Sequence, residues 1–204
     1  MKLIVKGKYV SEEQLPKASL PENAVRFREP ESTAELNKQA LKYLFPTFLL
    51  IVFLCVIAVL VQGRFPFGMM NGGVSGITLG VFLSFAFILP HELLHGLCFG
   101  RDSEVELYYS LKDMMAFVTC TEAISKARFI WVCLCPNILL GWLPLLLWAL
   151  VPMPEFLSAL IFGCCTMLVT MGAGDYMNVS NALRQMPRGS MQQMSGFHSY
   201  WYMP

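Results

Sequence analysis

Charge is scarce in this chain: Asp, Glu, Lys and Arg make up 14% of its 204 residues. A soluble domain carries about a quarter, so an ordinary soluble fold is excluded. The net charge of +1 leaves no cationic surplus for a phosphate backbone, and no nucleic-acid partner is expected. Seven cysteines are present, but none has the paired spacing of a structural zinc site or a thioredoxin-type motif. They read as free thiols that behave as small apolar residues. Histidine is rarer still, at three residues. That excludes a membrane oxygenase of the desaturase or hydroxylase type, whose sites use many histidines. A mixed polar stretch precedes the first apolar block, so a signal peptide is not expected. No internal repeat or low-complexity segment is visible.

What the chain has instead is apolar length. Residues 55% apolar overall fall into blocks near the roughly 20 residues that a helix needs to cross a bilayer. Four spans are expected, at about 44–61, 74–99, 129–151 and 156–176. They sit in a membrane domain over 43–185, between a polar cytosolic arm (1–42) and a cytosolic tail (186–204). Ser32 or Thr33 could cap a helix in the arm. Met69-Met70 and Met114-Met115 read as packing residues, and Asn71-Gly72-Gly73 as a turn signal. Lys and Arg are concentrated in the arm, between the second and third spans, and in the tail. The loop after the first span has only Arg64, and the turn after the third has none. This alternation predicts both termini in the cytosol. The fold class is an all-α polytopic membrane protein with a small β-hairpin on the cytosolic side.

The second span contains His91-Glu92-Leu93-Leu94-His95. Ionisable side chains are costly in hydrocarbon and are kept there mainly for function. At helical spacing His91 and His95 lie one turn apart on one face, with Glu92 beside them. Two imidazole ligands and a carboxylate base form the arrangement of a zinc metallopeptidase. Zinc acidifies its water towards neutrality, and Glu92 can take the proton and pass it to a leaving amine.

A hydrolytic zinc site needs a third protein ligand and an open position. The one other acid deep in a span is Asp175. His91 lies about 26 Å along the second span and Asp175 about 28 Å along the fourth, at 1.5 Å per residue. With the two spans running in the same direction, these depths agree, as a shared metal requires. Gly172, Ala173 and Gly174 would let helices approach closely, and Pro90 should kink the second span. Asn178 lies three residues beyond Asp175, and Asn137 is the one clearly polar side chain in the third span. Both are candidates for substrate or metal-shell contacts, against a plain helix-end or helix-break role. His198, in the tail, is an alternative third ligand. The structural alternative for the motif is hydrogen bonding within the bundle, without metal.

Glu104 to Leu111 begins with polar and apolar residues in alternation. Lys112-Asp113 fits a turn and Met114 to Thr119 a return strand, which makes a hairpin. Its edge could pair with an unwound substrate as an added strand, or it could simply cap the bundle.

These residues resemble the site-2 protease type of intramembrane zinc metalloprotease, which has a three-helix core with His-Glu-x-x-His on its first helix and an Asp ligand on its third. They are also similar to a group of small bacterial membrane proteins described as putative zincin peptidases. That similarity rests on His91 to Gly96, the hairpin ending near Thr119-Cys120, Pro136 and Gly174-Asp175, over roughly residues 75–185. It departs from the site-2 pattern in having Gly174-Asp175-Tyr176 where Leu-Asp-Gly is usual. The resemblance implies an endopeptidase of the bacterial cytoplasmic membrane, with zinc on His91, His95 and Asp175. It would cut membrane proteins or peptides near their cytosolic end. The alternative is a non-catalytic metal-binding chaperone or regulatory protein. Oligomeric state is not legible.

Overall fold

The computed structural model describes residues 1–29, 33–68, 72–110 and 115–204. The expected cap at Ser32, the Lys112-Asp113 turn, Met69-Met70, Asn71 and Met114 lie outside the described residues. In chain order the helices are α1 (Thr33–Ala40), α2 (Leu44–Gln62), α3 (Val74–Ser84), α4 (Ile88–Phe99), α5 (Lys126–Pro136), α6 (Leu143–Leu150), α7 (Glu155–Met171) and α8 (Ala173–Gln185). The strands are β1 (Lys2–Lys8), β2 (Val25–Arg26), β3 (Glu104–Ser110), β4 (Met115–Thr119), β5 (Ile124–Ser125), β6 (Met191–Ser195) and β7 (His198–Tyr202).

The fold is mostly helical, but the all-α expectation is corrected. Among the described residues there are two small sheets, and the hairpin of β3 and β4 is part of only one of them. Among the described residues three stretches are long and apolar enough to cross a membrane, Lys38–Gln62, Val74–Phe99 and Lys126–Leu150. Their length and composition fit a membrane protein. The fourth expected span qualifies only if α7 and α8 are taken together as a bent pair.

The helices break where their sequences demand it. Pro90 has no amide to donate, and its ring crowds the carbonyl four residues back. The turn before it tightens to 3₁₀ geometry over Phe85–Phe87, while Val74–Phe99 still counts as one apolar stretch. Pro136 ends α5, and a π-helical turn over Asn137–Trp142 leads into α6. Gly63 closes α2 with φ 71°, a left-handed cap that favours glycine.

The chain divides into two compact units. One comprises residues 37–87 and 136–174. Here α3 lies against α7 at very close range. A Cβ on Gly76 would sit 2.8 Å from the Ala159 Cβ, and one on Gly80 would sit 2.7 Å from the Cys164 amide nitrogen and overlap the Leu160 carbonyl. Trp148 is fully buried in this unit, and its indole N–H donates to the buried Ser158 Oγ at 2.8 Å, which removes the cost of an orphaned donor. The outer face of α2 is apolar and exposed, with Leu60 at 76% and Phe45 at 68%. Such a face suits acyl chains, not water.

The other unit comprises residues 1–36, 88–135 and 175–204. β1 pairs in parallel with β3, and β3 pairs antiparallel with β4, giving the order β1-β3-β4. The second sheet has the order β2-β7-β6-β5. Phe27, Phe99, Val105, Cys120, Ile124, Phe129 and Ala182 form the core between these sheets and helices α4, α5 and α8. The segments read as polar arm and tail thus supply strands to both sheets.

Leu at Gly80 must displace backbone, not a flexible side chain. Gly80→Leu should therefore destabilise the protein by about 1–3 kcal/mol, read as a lower unfolding temperature in detergent. An unchanged transition would show that the α3–α7 contact is looser than these distances imply.

Candidate metal centre

The site grows from one turn of α4. His91 and His95 project from the same face, with ring centroids 4.7 Å apart and planes at 74°. Both are largely shielded, at 13% and 10% side-chain exposure. The His95 Nδ1–H donates to the carbonyl oxygen of Val132 on α5, at 2.7 Å. That bond selects the tautomer and leaves Nε2 with its lone pair facing inwards.

Asp175 meets both rings. Its Oδ2 lies 3.2 Å from His91 Nε2 and its Oδ1 3.4 Å from His95 Nε2. The carboxylate comes from the first turn of α8, the second helix of the bent pair that can make the fourth span. Gly172 ends α7, and α8 restarts at Ala173, so Asp175 sits in the first turn of α8, the end at which the helix dipole favours an anion.

Two ligands bound at about 2.0–2.1 Å to one tetrahedral zinc ion are about 3.3–3.4 Å apart. The separations at Asp175 match that spacing. Two imidazole nitrogens and a carboxylate oxygen are also donors that zinc accepts. The residues present therefore fit the metal. Glu92 is close as well: one donor atom from each of His91, Glu92 and His95 lies within 4.8 Å of the others. By proximity alone Glu92 could serve as a ligand. However, its Oε2 accepts the Val118 amide proton, N to O 3.1 Å, from strand β4, whereas each Asp175 oxygen faces an imidazole nitrogen. The geometry therefore suits Asp175 as a candidate third donor.

Asn178 is half-buried on α8. Asn137 belongs to the other unit, buried in the π-helical turn. A Cβ on Gly172 would overlap its side-chain amide, so this glycine makes its close approach to the third expected span and not to the motif span expected for the Gly172-Ala173-Gly174 run. A Cβ on Gly174 would meet open space. His198 is not near the imidazole pair. Its ring lies 2.9 Å from Arg26 Nη2 and 3.3 Å from Glu29 Oε1. Burial pushes the Glu29 carboxyl above its usual range, opposed by the Ser199 amide that donates to it.

Two contacts had no signal in the side chains. Val132 acts through its carbonyl and Val118 through its amide, so neither residue's identity announces the role.

Residues 84–191 match the profile of a family described as putative zincin peptidase. No curated protein and no solved structure matches the chain.

If Asp175 completes the site, Asp175→Ala should reduce bound zinc more than about tenfold, at least the loss seen when a ligand's hydrogen-bond partner is removed. Elemental analysis of the purified protein measures this. Asn178→Ala should leave zinc content unchanged.

Proposed function

Because the chain belongs to the putative zincin peptidase family and is a zinc metallopeptidase, we propose that it hydrolyses peptide bonds of membrane-embedded substrates near the cytosolic face, in the manner of a site-2 protease. The observation that carries this reading is the Asp175 carboxylate forked between His91 and His95, with both histidines on a stretch apolar enough to cross a membrane. A peptidase working on soluble chains has no need to keep its ligands in such a helix.

In this reading His91, His95 and Asp175 hold the zinc, which when bound acidifies water and polarises the substrate carbonyl. Val132 keeps His95 in the tautomer that presents Nε2. Glu92 takes a proton from water as the water oxygen bonds to the carbonyl carbon. Glu92 then delivers that proton to the peptide nitrogen as the C–N bond breaks. The products are a carboxylate and an amine, and no redox partner is needed. Asn178, on the same helix as Asp175, is assigned to substrate or metal-shell contacts. Four spans, counting α7 with the start of α8, would put both termini and the β3–β4 hairpin on the cytosolic side. The hairpin edge would receive an unwound substrate strand, because a helical peptide bond is shielded from attack.

Glu92→Gln separates chemistry from metal binding. Cleavage of a membrane-embedded reporter should fall by about 10²–10⁴-fold, the usual worth of a general acid–base, while zinc content stays at the wild-type level. Undiminished cleavage would remove Glu92 from the mechanism. Wild-type protein that purifies without zinc, or that is loaded and inert, would favour a chaperone or regulatory role.

A further inference from the structure

β4 is an edge strand, with β3 on one side, and its residues Met115 to Val118 are only half-buried. In an antiparallel ladder successive amides point alternately to the partner strand and to the outer edge. The Val118 amide points outwards, because it donates to Glu92 Oε2 and not to Leu107, its partner on β3. Ala116, opposite Tyr109, shares that outward orientation.

An extended chain added to this edge would give one carbonyl to the Ala116 amide. The next carbonyl along would come opposite Val118, whose proton is already held by Glu92. That carbonyl has no ladder donor. It lies beside the carboxylate, which is itself within 4.8 Å of the imidazole donor atoms. A carbonyl bonded to the strand is turned towards it and away from a nucleophile, whereas an unpaired one can turn towards the metal.

Building on the peptidase reading, we infer that Glu92 interrupts strand pairing at Val118 and that this gap sets the register of cleavage: the substrate carbonyl opposite Val118 is the one hydrolysed. Val118 is then a positioning residue that acts through Glu92. The substrate is an extended peptide segment, recognised along its main chain at the β4 edge.

The test uses the full-length, zinc-free protein in detergent micelles and follows amide hydrogen exchange residue by residue. The probe is a Lys-flanked peptide of alternating Thr and Val. Without peptide, the Val118 amide should exchange slowly in wild type and in Glu92→Gln, whose carboxamide oxygen still accepts. In Glu92→Ala it should exchange about tenfold faster, as loss of one such bond predicts. With peptide, the Ala116 amide should slow in all three proteins, while Val118 should slow further only in Glu92→Ala, where the gap can close. Three results would overturn the inference: equal Val118 exchange in wild type and Glu92→Ala, further slowing of Val118 by peptide in wild type, or no slowing of Ala116. These readings need neither zinc nor turnover. If they fail while Glu92→Gln still abolishes cleavage with zinc retained, the register idea falls and the peptidase reading stands.

Discussion

The fork of Asp175 across His91 and His95 is the interaction on which the metal-site half of this protein depends. None of the three side chains is comfortable alone in apolar surroundings. An uncompensated buried charge costs about 3–5 kcal/mol when its partner is removed. Here each carboxylate oxygen faces one imidazole nitrogen, and the second nitrogen of His95 is satisfied by Val132. Three helices must therefore keep their mutual register: α4 for the histidines, α5 for the carbonyl and α8 for the acid. The core of Phe99, Val105, Phe129, Val132 and Ala182 packs those elements together. Packing and polar satisfaction thus constrain the same three helices.

The helix breaks serve this arrangement. Had α7 run on without interruption, Asp175 would be a mid-helix acid, away from the end at which the helix dipole favours an anion. Gly172 ends that helix, and the restart at Ala173 presents Asp175 in a first turn, where the helix dipole offsets part of the anion's cost. The residue that allows the break is itself hemmed in, because any side chain on Gly172 would collide with Asn137. Proline does comparable work elsewhere. Pro90 tightens the turn that leads into the motif helix, and Pro136 precedes a π-helical turn.

The sequence revealed what depends on side-chain chemistry and local period. The apolar blocks marked the helices, the i, i+4 histidines marked the metal face, and Asp175 stood out as an acid in an apolar stretch. The alternation at Glu104 to Tyr108 marked a strand. Long-range pairing was not legible. β1 joins β3 in parallel across about a hundred intervening residues, and nothing local in Lys2–Lys8 names that partner. The tail hairpin of β6 and β7 was hidden for another reason. Met191-Gln192-Gln193-Met194 has no polar–apolar alternation, and the strand is held by β5 and β7 on either side. The break before Asp175 was missed because Gly172 and Gly174 read equally well as helix-packing residues, and only three-dimensional contacts tell them apart.

Main-chain groups mark a deeper limit of sequence reading. His95 is oriented by a carbonyl and Glu92 is held by an amide. Almost any residue can supply such groups; only proline lacks the amide. The constraint at positions 118 and 132 therefore falls on backbone geometry, not on residue type. Strand β4 and helix α5 must present those groups at hydrogen-bonding distance from α4, and their packing achieves this. A site built this way tolerates side-chain change in its supports while remaining sensitive to any shift of a strand or helix. That explains why so small a constellation of ionisable residues is set in two sheets and a tightly packed core.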